Sequence, residues 1–315
     1  MGKKTVDFLR IQTNLVILIV LVIILSITIP SFRQSSNFLN ILKNIATITI
    51  VSSGLTLVVV GGGLDLSVGS TFSLSAILSI VMLIKYNSVV LAVIVPIGAA
   101  IIVGSINGVV TSKFNLSSII VTLGMLSFVS GFTYFIVNGG TQVADPNAVY
   151  ETIAKASLLG IPLYCYLFVI IAVLYELLLR KTTFGRNLIL IGTNPEAARI
   201  VGINIILTRT ISFIICSVSV AIAAIILSSR MMTAAPAVGN GYEFTAITAI
   251  VIGGVSLNGG KGNIYNTVIG SVLLGVLINA LTLTNVPFAF QAISKGLLVI
   301  IALTLDVRAR RSLER

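Results

Sequence analysis

Asp65 is a single carboxylate inside a long apolar stretch, and it stands among glycines and hydroxyl side chains. Residues 61–70 read GGGLDLSVGS, with apolar sequence on both sides. A carboxylate in apolar surroundings is costly unless donors surround it, and with nearby hydroxyl groups it can form hydrogen bonds with a polar solute. Glycines permit irregular backbone, which a membrane tolerates only where protein or a water-filled path satisfies the polar groups. The motif therefore predicts a broken helix that lines a passage.

Weak hydrogen-bonding groups accompany this carboxylate on the predicted membrane segments. They are Ser67, Ser70, Thr71, Ser73, Asn107, Thr122 and Ser127. A neutral, hydroxyl-rich solute needs many such groups more than it needs fixed charges, so we predict a translocation path or gate. The predicted path residues are Asp65, Ser67, Gly69, Ser70 and Asn107. The alternative is structural, because small hydroxyl side chains help membrane helices to pack and Asp65 could cap the helix that begins near Ser67.

Catalytic and metal-binding side chains are scarce in this sequence. It has no histidine, two cysteines, and nine acidic residues that form no cluster. Cys165 and Cys216 both fall in apolar segments, so neither a histidine-based triad nor a histidine-containing metal site is expected. Residues 253–263 read GGVSLNGGKGN, but glycine stands where a phosphate-binding loop requires lysine. We predict a protein that is not an enzyme and that carries no cofactor or metal.

Membrane helices must position these groups. Of the 315 residues 57% are hydrophobic and 9% are charged, and the mean hydropathy is +1.12. A spanning helix needs roughly 20 apolar residues. About ten segments qualify: 14–30, 44–60, 64–84, 88–112, 117–138, 163–180, 209–229, 242–257, 264–283 and 286–306. The first is long for a signal peptide and is predicted to remain as an uncleaved span. We predict an all-α polytopic membrane protein with one transmembrane domain over residues 1–315 and with broken or re-entrant segments.

The net charge is +11, and the distribution of the basic residues along the chain indicates the membrane topology. If the amino terminus is cytoplasmic, ten spans return the carboxyl terminus to the same side, and fourteen of the 20 basic residues then lie inside. Five basic residues lie outside: Arg33, Lys43, Lys85, Lys155 and Arg230. Cytoplasmic loops of membrane proteins carry an excess of lysine and arginine, so both termini are predicted to be cytoplasmic. Nucleic acid is not an expected partner.

The longest predicted cytoplasmic segment, about residues 180–209, contains a predicted short helix. Residues 192–204 read GTNPEAARIVGIN. This stretch has an N-cap residue, a proline for the first turn, an acid that complements the helix dipole and a glycine stop. The predicted docking residues are Asn194, Pro195, Glu196, Ala197, Ala198, Arg199 and Gly202, with Ile200 and Val201 as further apolar positions. The alternative is an interfacial helix that rests on lipid.

Two glycine pairs indicate an internal repeat. Residues 60–62 and 252–254 each place two glycines after a β-branched residue, and each is followed by polar, glycine-containing sequence. The offset of about 192 residues would relate two halves of the chain, as in many transporters. Independent tight turns between helices are the alternative.

Three motifs occur in an order that resembles a known transporter family. They are residues 63–70, residues 192–204, and the segment from 239–243 (GNGYE) to 253–262. From about residue 14 to 306 the chain resembles the permease subunits of ribose-type sugar ABC importers, in the branched-chain/ribose superfamily. The resemblance implies ATP-driven import of a small sugar across the bacterial cytoplasmic membrane. It also implies cytoplasmic ABC ATPase subunits that hydrolyse the ATP, an extracytoplasmic sugar-binding protein, and a second permease subunit, identical or different, as partners in the lipid bilayer.

Other functions fit parts of the same pattern. Autoinducer-2 and nucleoside permeases belong to the same broad group of ABC importers. An ion-coupled secondary transporter also uses broken helices and intramembrane carboxylates, but it has no evident use for a capped docking helix.

Three further charged residues have simpler explanations. Glu243 opens the eighth predicted span and complements its dipole, with contact to a binding protein as the alternative. Glu176 is expected to pair with Arg180 four residues later. Lys295 is expected to reach the interface from the last span.

Overall fold

The structure, a computed structural model, describes residues 3–287 and, beyond them, residues 289–291, 293, 294, 296, 297, 300 and 304. For residues 3–13 it gives the backbone alone. The described part is almost entirely helical, with strands of only two residues. Among the described residues, seven helices are long and apolar enough to cross a membrane. The prediction of an all-α polytopic membrane protein is confirmed.

The helices follow one another along the chain with short connections. They are α1 (Lys3–Thr28), α2 (Ser35–Val60), α3 (Val68–Tyr86), α4 (Val89–Lys113), α5 (Ser118–Ile136), α6 (Ala148–Lys155), α7 (Leu163–Lys181), α8 (Thr183–Thr193), α9 (Pro195–Ile200), α10 (Ile205–Met231), α11 (Tyr242–Ile252) and α12 (Ile264–Leu283). Strands β1 (Gln142–Val143) and β4 (Thr233–Ala234) pair antiparallel, as do β2 (Ser157–Leu158) and β3 (Ile161–Pro162). The seven candidate spans are α2, α3, α4, α5, α7, α10 and α12.

Two shorter apolar helices correspond to two more of the predicted segments. Asn14–Thr28 within α1 and Tyr242–Ile252 coincide with the first and eighth of them. The tenth predicted segment, 286–306, lies largely outside the described residues. Helix α6 and helix α8 were not predicted, because their mixed composition lacks the long apolar run of a span.

The predicted boundaries of two helices were wrong. Helix α2 begins at Ser35 instead of 44, so Lys43 lies in a helix and not in an outer loop. This early polar turn is stabilised by Asn37 and Asn279, whose buried side-chain amides exchange hydrogen bonds of 3.1 and 2.8 Å. Such amide pairs hold membrane helices together. Helix α11 ends at Ile252 instead of 257, because glycines terminate it there.

Helix α10 lies at the centre of the bundle and packs against α2, α3 and α4. Glycines make this close packing possible. A Cβ atom on Gly54 would lie 2.7 Å from Ser219 Oγ, and one on Gly104 would lie 2.7 Å from Phe213 O. Many hydroxyl groups donate within their own helix, for example Ser219 Oγ to Ile215 O at 2.7 Å. Small and hydroxyl residues therefore mediate helix contact, as is typical of membrane bundles.

Helix α6 lies outside the candidate spans but is anchored to them by Tyr150. This side chain is fully buried. Its hydroxyl lies 2.6 Å from Ser79 Oγ on α3 and 2.7 Å from Ser228 Oγ on α10. Burial raises the pKa of Tyr150, because a phenolate would lose its hydration there. Helix α6 is thereby held at the same end of the bundle as the β1–β4 pair.

The two ends of the bundle can be distinguished by labelling. Val149 on α6 is 66% exposed and Ile200 on α9 is 85% exposed, whereas native Cys165 and Cys216 are buried. We expect Val149→Cys to react with an impermeant maleimide from outside the cell, and Ile200→Cys to react only after the membrane is opened. Labelling of both from the same side would contradict the ten-span topology.

Candidate functional site

The glycine motif at residues 61–63 ends helix α2. The amide of Gly61 donates to Leu57 O, that of Gly62 to Val59 O, and that of Gly63 to Val58 O, at 2.9–3.1 Å. Gly62 has a φ of +78°, a left-handed conformation that glycine adopts without steric cost. The chain then runs without regular structure to α3, which begins at Val68. The predicted break between two membrane helices is confirmed.

Asp65 lies in this break and is surrounded by donors. Its Oδ1 accepts from the amide of Ser67 at 2.9 Å, from the Ser67 hydroxyl at 2.6 Å, and from Asn107 Nδ2 at 3.5 Å. Asn107, on α4, also donates to Ser67 Oγ at 2.9 Å. All three side chains are essentially inaccessible to solvent. The structure thus brings together three of the five predicted path residues, and in this conformation their contacts fix the turn that leads into α3.

Hydroxyl groups of α5 satisfy the backbone on the other side of the break. The amide of Leu64 donates to Ser118 Oγ at 2.9 Å, and that of Leu66 donates to Thr122 Oγ1 at 3.0 Å. Thr122 was predicted as a polar group on a span, whereas Ser118 was missed. Ser118 lies four residues before Thr122, which places both hydroxyls on one helix face, and this spacing could have identified Ser118. The irregular backbone is therefore paired with protein, as a membrane requires.

The remaining predicted polar groups have separate surroundings. Ser70 Oγ donates to Ser67 O at 3.0 Å, and Ser73 Oγ accepts from the amide of Gly239 at 2.9 Å. Ser127 is exposed on α5 and donates to Leu123 O in its own helix. Gly69 lies directly against the Glu243 carboxylate at the start of α11. In the described conformation Ser70 contacts the Asp65 cluster only through Ser67 O, and Gly69, Ser73 and Ser127 do not join it.

The second glycine pair ends α11 in the way that the first ends α2. The amides of Gly253, Gly254 and Val255 donate to Ala249 O, Val251 O and Ile250 O at 2.8–3.1 Å. Gly254 has a φ of +83°, matching Gly62. Each donor and acceptor corresponds to one in the first cap at a constant offset. The two breaks therefore share the local geometry that the proposed internal repeat requires.

Three glycine segments that are distant in sequence meet at one end of the bundle, in what we call the glycine junction: Gly61–Gly62, Gly192, and Gly259–Gly260. The amide of Gly260 donates to Val60 O at 2.8 Å. A Cβ atom on Gly192 would clash with Val60 O and would lie 2.6 Å from Gly260 N. A Cβ atom on Gly259 would lie 2.8 Å from Gly62 Cα. The junction therefore requires glycine because backbone packs directly on backbone.

Arg209, on α10, adds a charge to this junction. It donates from Nε to Gly61 O at 3.1 Å. A cation is favourable at the carboxyl end of a helix, where carbonyl groups lack partners. The sequence showed the glycines of each segment but did not indicate that they converge.

The predicted short helix at residues 195–200 is present. Asn194 caps it by accepting from the amide of Ala197 at 3.0 Å. At its end the amides of Gly202 and Ile203 donate to Arg199 O and Ala198 O, both at 3.0 Å. Gly202 has a φ of +78°. The predicted N-cap, first-turn proline and glycine stop are confirmed as structural features.

The exposed surface of α9 differs from the predicted docking residues in one respect. Ala198 is fully buried within the chain, whereas Ile200 is 85% exposed and Val201 is 66% exposed. Glu196 and Arg199 are also exposed and pair with each other at 3.3 Å. Two large apolar side chains are therefore exposed on the surface beside an ion pair. Helix α8, whose Leu188 and Ile191 are buried, connects this surface to the glycine junction.

Glu176 has a larger role than its predicted pairing with Arg180. The pair is present at 3.2 Å. Glu176 Oε2 also accepts from the amide of Ile264 at 2.7 Å, and Arg180 donates to Gly262 O at 3.2 Å. An acid at a helix amino terminus is favourable. The two side chains on α7 thus hold the start of α12.

These features define a class of protein. Apolar spanning helices, glycine-broken helices within the bundle and a capped helix at one end are typical of the membrane subunits of transport systems. The chain belongs to the family described as branched-chain amino acid transport system / permease component, whose family model matches residues 37–303. It is therefore a multi-pass membrane protein and a transport subunit.

Curated relatives cover nearly the whole chain. The ribose import permease protein of Bacillus subtilis (strain 168) is 36% identical over 290 residues, which is 92% of this chain and 90% of that protein. The corresponding ribose permease of Escherichia coli (strain K12) is 34% identical over 300 residues, 94% of this chain and 93% of that protein. The L-arabinose transport system permease protein of the same strain is 35% identical over 308 residues, with 96% and 93% covered. No solved structure matches the chain.

Proposed function

We propose that this chain is the transmembrane subunit of an ATP-driven importer that carries a monosaccharide of the ribose type across the bacterial cytoplasmic membrane. The family and the names of the relatives support the substrate class. The observation that carries the mechanism is the exposed apolar surface of α9, which α8 connects to the glycine junction. Such a surface at one end of a rigid element suits a partner that drives the conformational change.

The partner that hydrolyses ATP is a cytoplasmic ABC ATPase. The glycine-rich segment 253–263 is not available for a nucleotide, because Gly259 and Gly260 pack against Gly62 and Thr193. The amide of Gly260 already donates to Val60 O. Energy must therefore enter from another subunit. Family membership does not favour the ion-coupled alternative.

Further partners follow from the two remaining surfaces. An extracytoplasmic sugar-binding protein would contact the end that carries α6 and the β2–β3 hairpin, where Leu159 is 91% exposed. A second permease subunit, together with lipid, would cover the apolar faces that α4 and α5 leave exposed.

Residues 1–315 act as one domain with both termini cytoplasmic. We propose that the passage, when the bundle opens, is lined by Asp65, Ser67, Gly69, Ser70 and Asn107.

Reconstitution tests this function. We expect the permease in vesicles with its ATPase and binding protein to accumulate ribose or arabinose when ATP is supplied. Uptake should stop on ATP depletion and should persist when ion gradients are dissipated with ATP maintained. Uptake that follows the gradient and ignores ATP would overturn the proposal.

The docking surface of α9 can be tested without disturbing the fold. We expect Ile200→Ser combined with Val201→Ser to lower ATP-driven uptake about tenfold or more, because each apolar side chain contributes about 1.5–3 kcal/mol when a partner buries it. Leu159→Ser, at the opposite end, is the control for co-purification only and should leave binding of the ATPase unchanged. The measurements are uptake and co-purification of the ATPase. Normal values of both in the double variant would contradict the docking role.

A substitution at Ala198 would be a poor test of docking. Its side chain is buried within the chain, so a larger residue there would disrupt packing instead of the partner surface.

A further inference from the structure

The amino ends of α3 and α11 meet inside the bundle. A Cβ atom on Gly69 would lie 2.7 Å from Gly239 O, and one on Gly239 would lie 3.0 Å from the amide of Ser73. Next to this contact the rings of Phe72 and Tyr242 stack with centroids 4.2 Å apart. Both helices therefore direct the positive ends of their dipoles toward one place.

Glu243 places a carboxylate at this meeting point. The residue is 8% exposed. Its Oε1 accepts from the amide of Gly241 at 3.2 Å. Its Oε2 is buried against Gly69 and has no hydrogen-bond partner among the residues that the structure describes. An unpaired buried acceptor is costly, and a charged one more so. A structural N-cap would need only the first of these two oxygens.

Each of the two buried carboxylates of the bundle has one oxygen that accepts from donors. Asp65 Oδ1 is engaged by donors from Ser67 and Asn107. The second carboxylate oxygen of Glu243, Oε2, lies without a hydrogen-bond partner among the described residues at the contact between α3 and α11. That contact is formed by glycines, a ring stack and one hydrogen bond between Gly239 and Ser73. Separation of α3 from α11 would expose Oε2 beside the flat surface of Gly69.

We infer that Glu243 is a solute-binding residue of the passage, whose free carboxylate oxygen accepts a hydroxyl group of a neutral polyol when α3 and α11 separate. Because Gly69 has no side chain, Oε2 packs directly against it while α3 and α11 are in contact, and space for a solute opens there only when the two helices separate. The inference rests on the proposed function, which supplies the hydroxyl-rich solute. Hydrogen bonds to charged acceptors are among the strongest that a neutral solute can make.

The test compares Glu243→Gln with wild type in vesicles that contain the full importer. We expect sugar uptake per ATP hydrolysed to fall about tenfold or more, as loss of a charge-assisted hydrogen bond implies. Binding-protein-stimulated ATP hydrolysis should continue. The thermal unfolding temperature should stay close to that of wild type, because glutamine has a similar shape and its side-chain oxygen can keep the bond from the Gly241 amide. Asp145→Asn, an exposed acid, is the matched control.

Two results would overturn the inference. Unchanged uptake per ATP in Glu243→Gln would show that the carboxylate serves only as a cap. A fall in uptake that parallels a fall in unfolding temperature would show a structural role. Failure of the proposed function is distinguishable, because wild type and Asp145→Asn would then show no ATP-dependent sugar uptake, and the inference would fall with it.

Discussion

Replacing Gly192 by alanine is expected to destabilise the protein and to abolish coupled transport. The added Cβ atom would clash with Val60 O and would lie 2.6 Å from Gly260 N. Both are backbone atoms, so no side chain can rotate away, and α8 would have to move from the ends of α2 and α11. Overpacking typically costs about 1–3 kcal/mol, and more where backbone must shift.

The measurement is the unfolding temperature in detergent, followed through a fused fluorescent protein because the chain has no tryptophan. We expect a decrease of about 5 °C or more. Gly124→Ala on α5 is the matched control, since nothing lies within 4 Å of its added Cβ atom. A helical alanine there should be neutral or slightly stabilising. A Gly192→Ala protein with the stability and uptake of wild type would show that the glycine junction does not constrain the fold.

Asp65→Ala is expected to have the second large effect. It removes the acceptor of the Ser67 amide, the Ser67 hydroxyl and Asn107 Nδ2. Each buried donor left without a partner costs about 1–3 kcal/mol. Asp65→Asn keeps one acceptor of similar shape and should cost less, about 0.5–2 kcal/mol, as for lost caps.

The pair of variants separates geometry from charge. We expect unfolding temperatures in the order wild type, Asp65→Asn, Asp65→Ala, with ATP-driven uptake retained by Asp65→Asn at a lower level. Asp145→Ala, at an exposed position, is the control. Equal stability of the two Asp65 variants would mean that the hydrogen bonds of Oδ1 do not hold the turn. Complete loss of ATP-driven uptake in a stable Asp65→Asn protein would assign the charge itself to transport.

The fold class and several local features, such as helix caps, could be predicted from the sequence alone. Apolar runs of about 20 residues predict membrane helices because bilayer thickness sets their length. Glycine caps and the Asn194 cap are likewise readable, since they depend on backbone conformation and hydrogen bonds within a few residues. The break at Gly61–Gly62 and the capped helix α9 are therefore where they were predicted, whereas the glycine pair at Gly253–Gly254 ends α11 inside the predicted eighth segment.

The prediction was less accurate for polar residues near a predicted loop. Helix α2 begins nine residues before its predicted start, because the amides of Asn37 and Asn279 pair across 242 residues of sequence. A polarity scale treats Asn37 as a residue that favours water. Burying such a residue costs free energy, and Asn279, whose hydrogen bonds offset this cost, is brought next to Asn37 only by the folded chain.

Only the tertiary structure decided which separated residues meet. Gly192 requires glycine because of Val60 and Gly260, and Gly69 because of Glu243. Ala198 was a predicted docking residue, yet it faces inward, while Ile200 and Val201 face outward. Composition and periodicity describe a residue's own helix, whereas close contact and burial depend on the neighbours that packing provides. The sequence alone thus determined a helical membrane protein with broken helices, and packing decided the partners of its glycines and carboxylates.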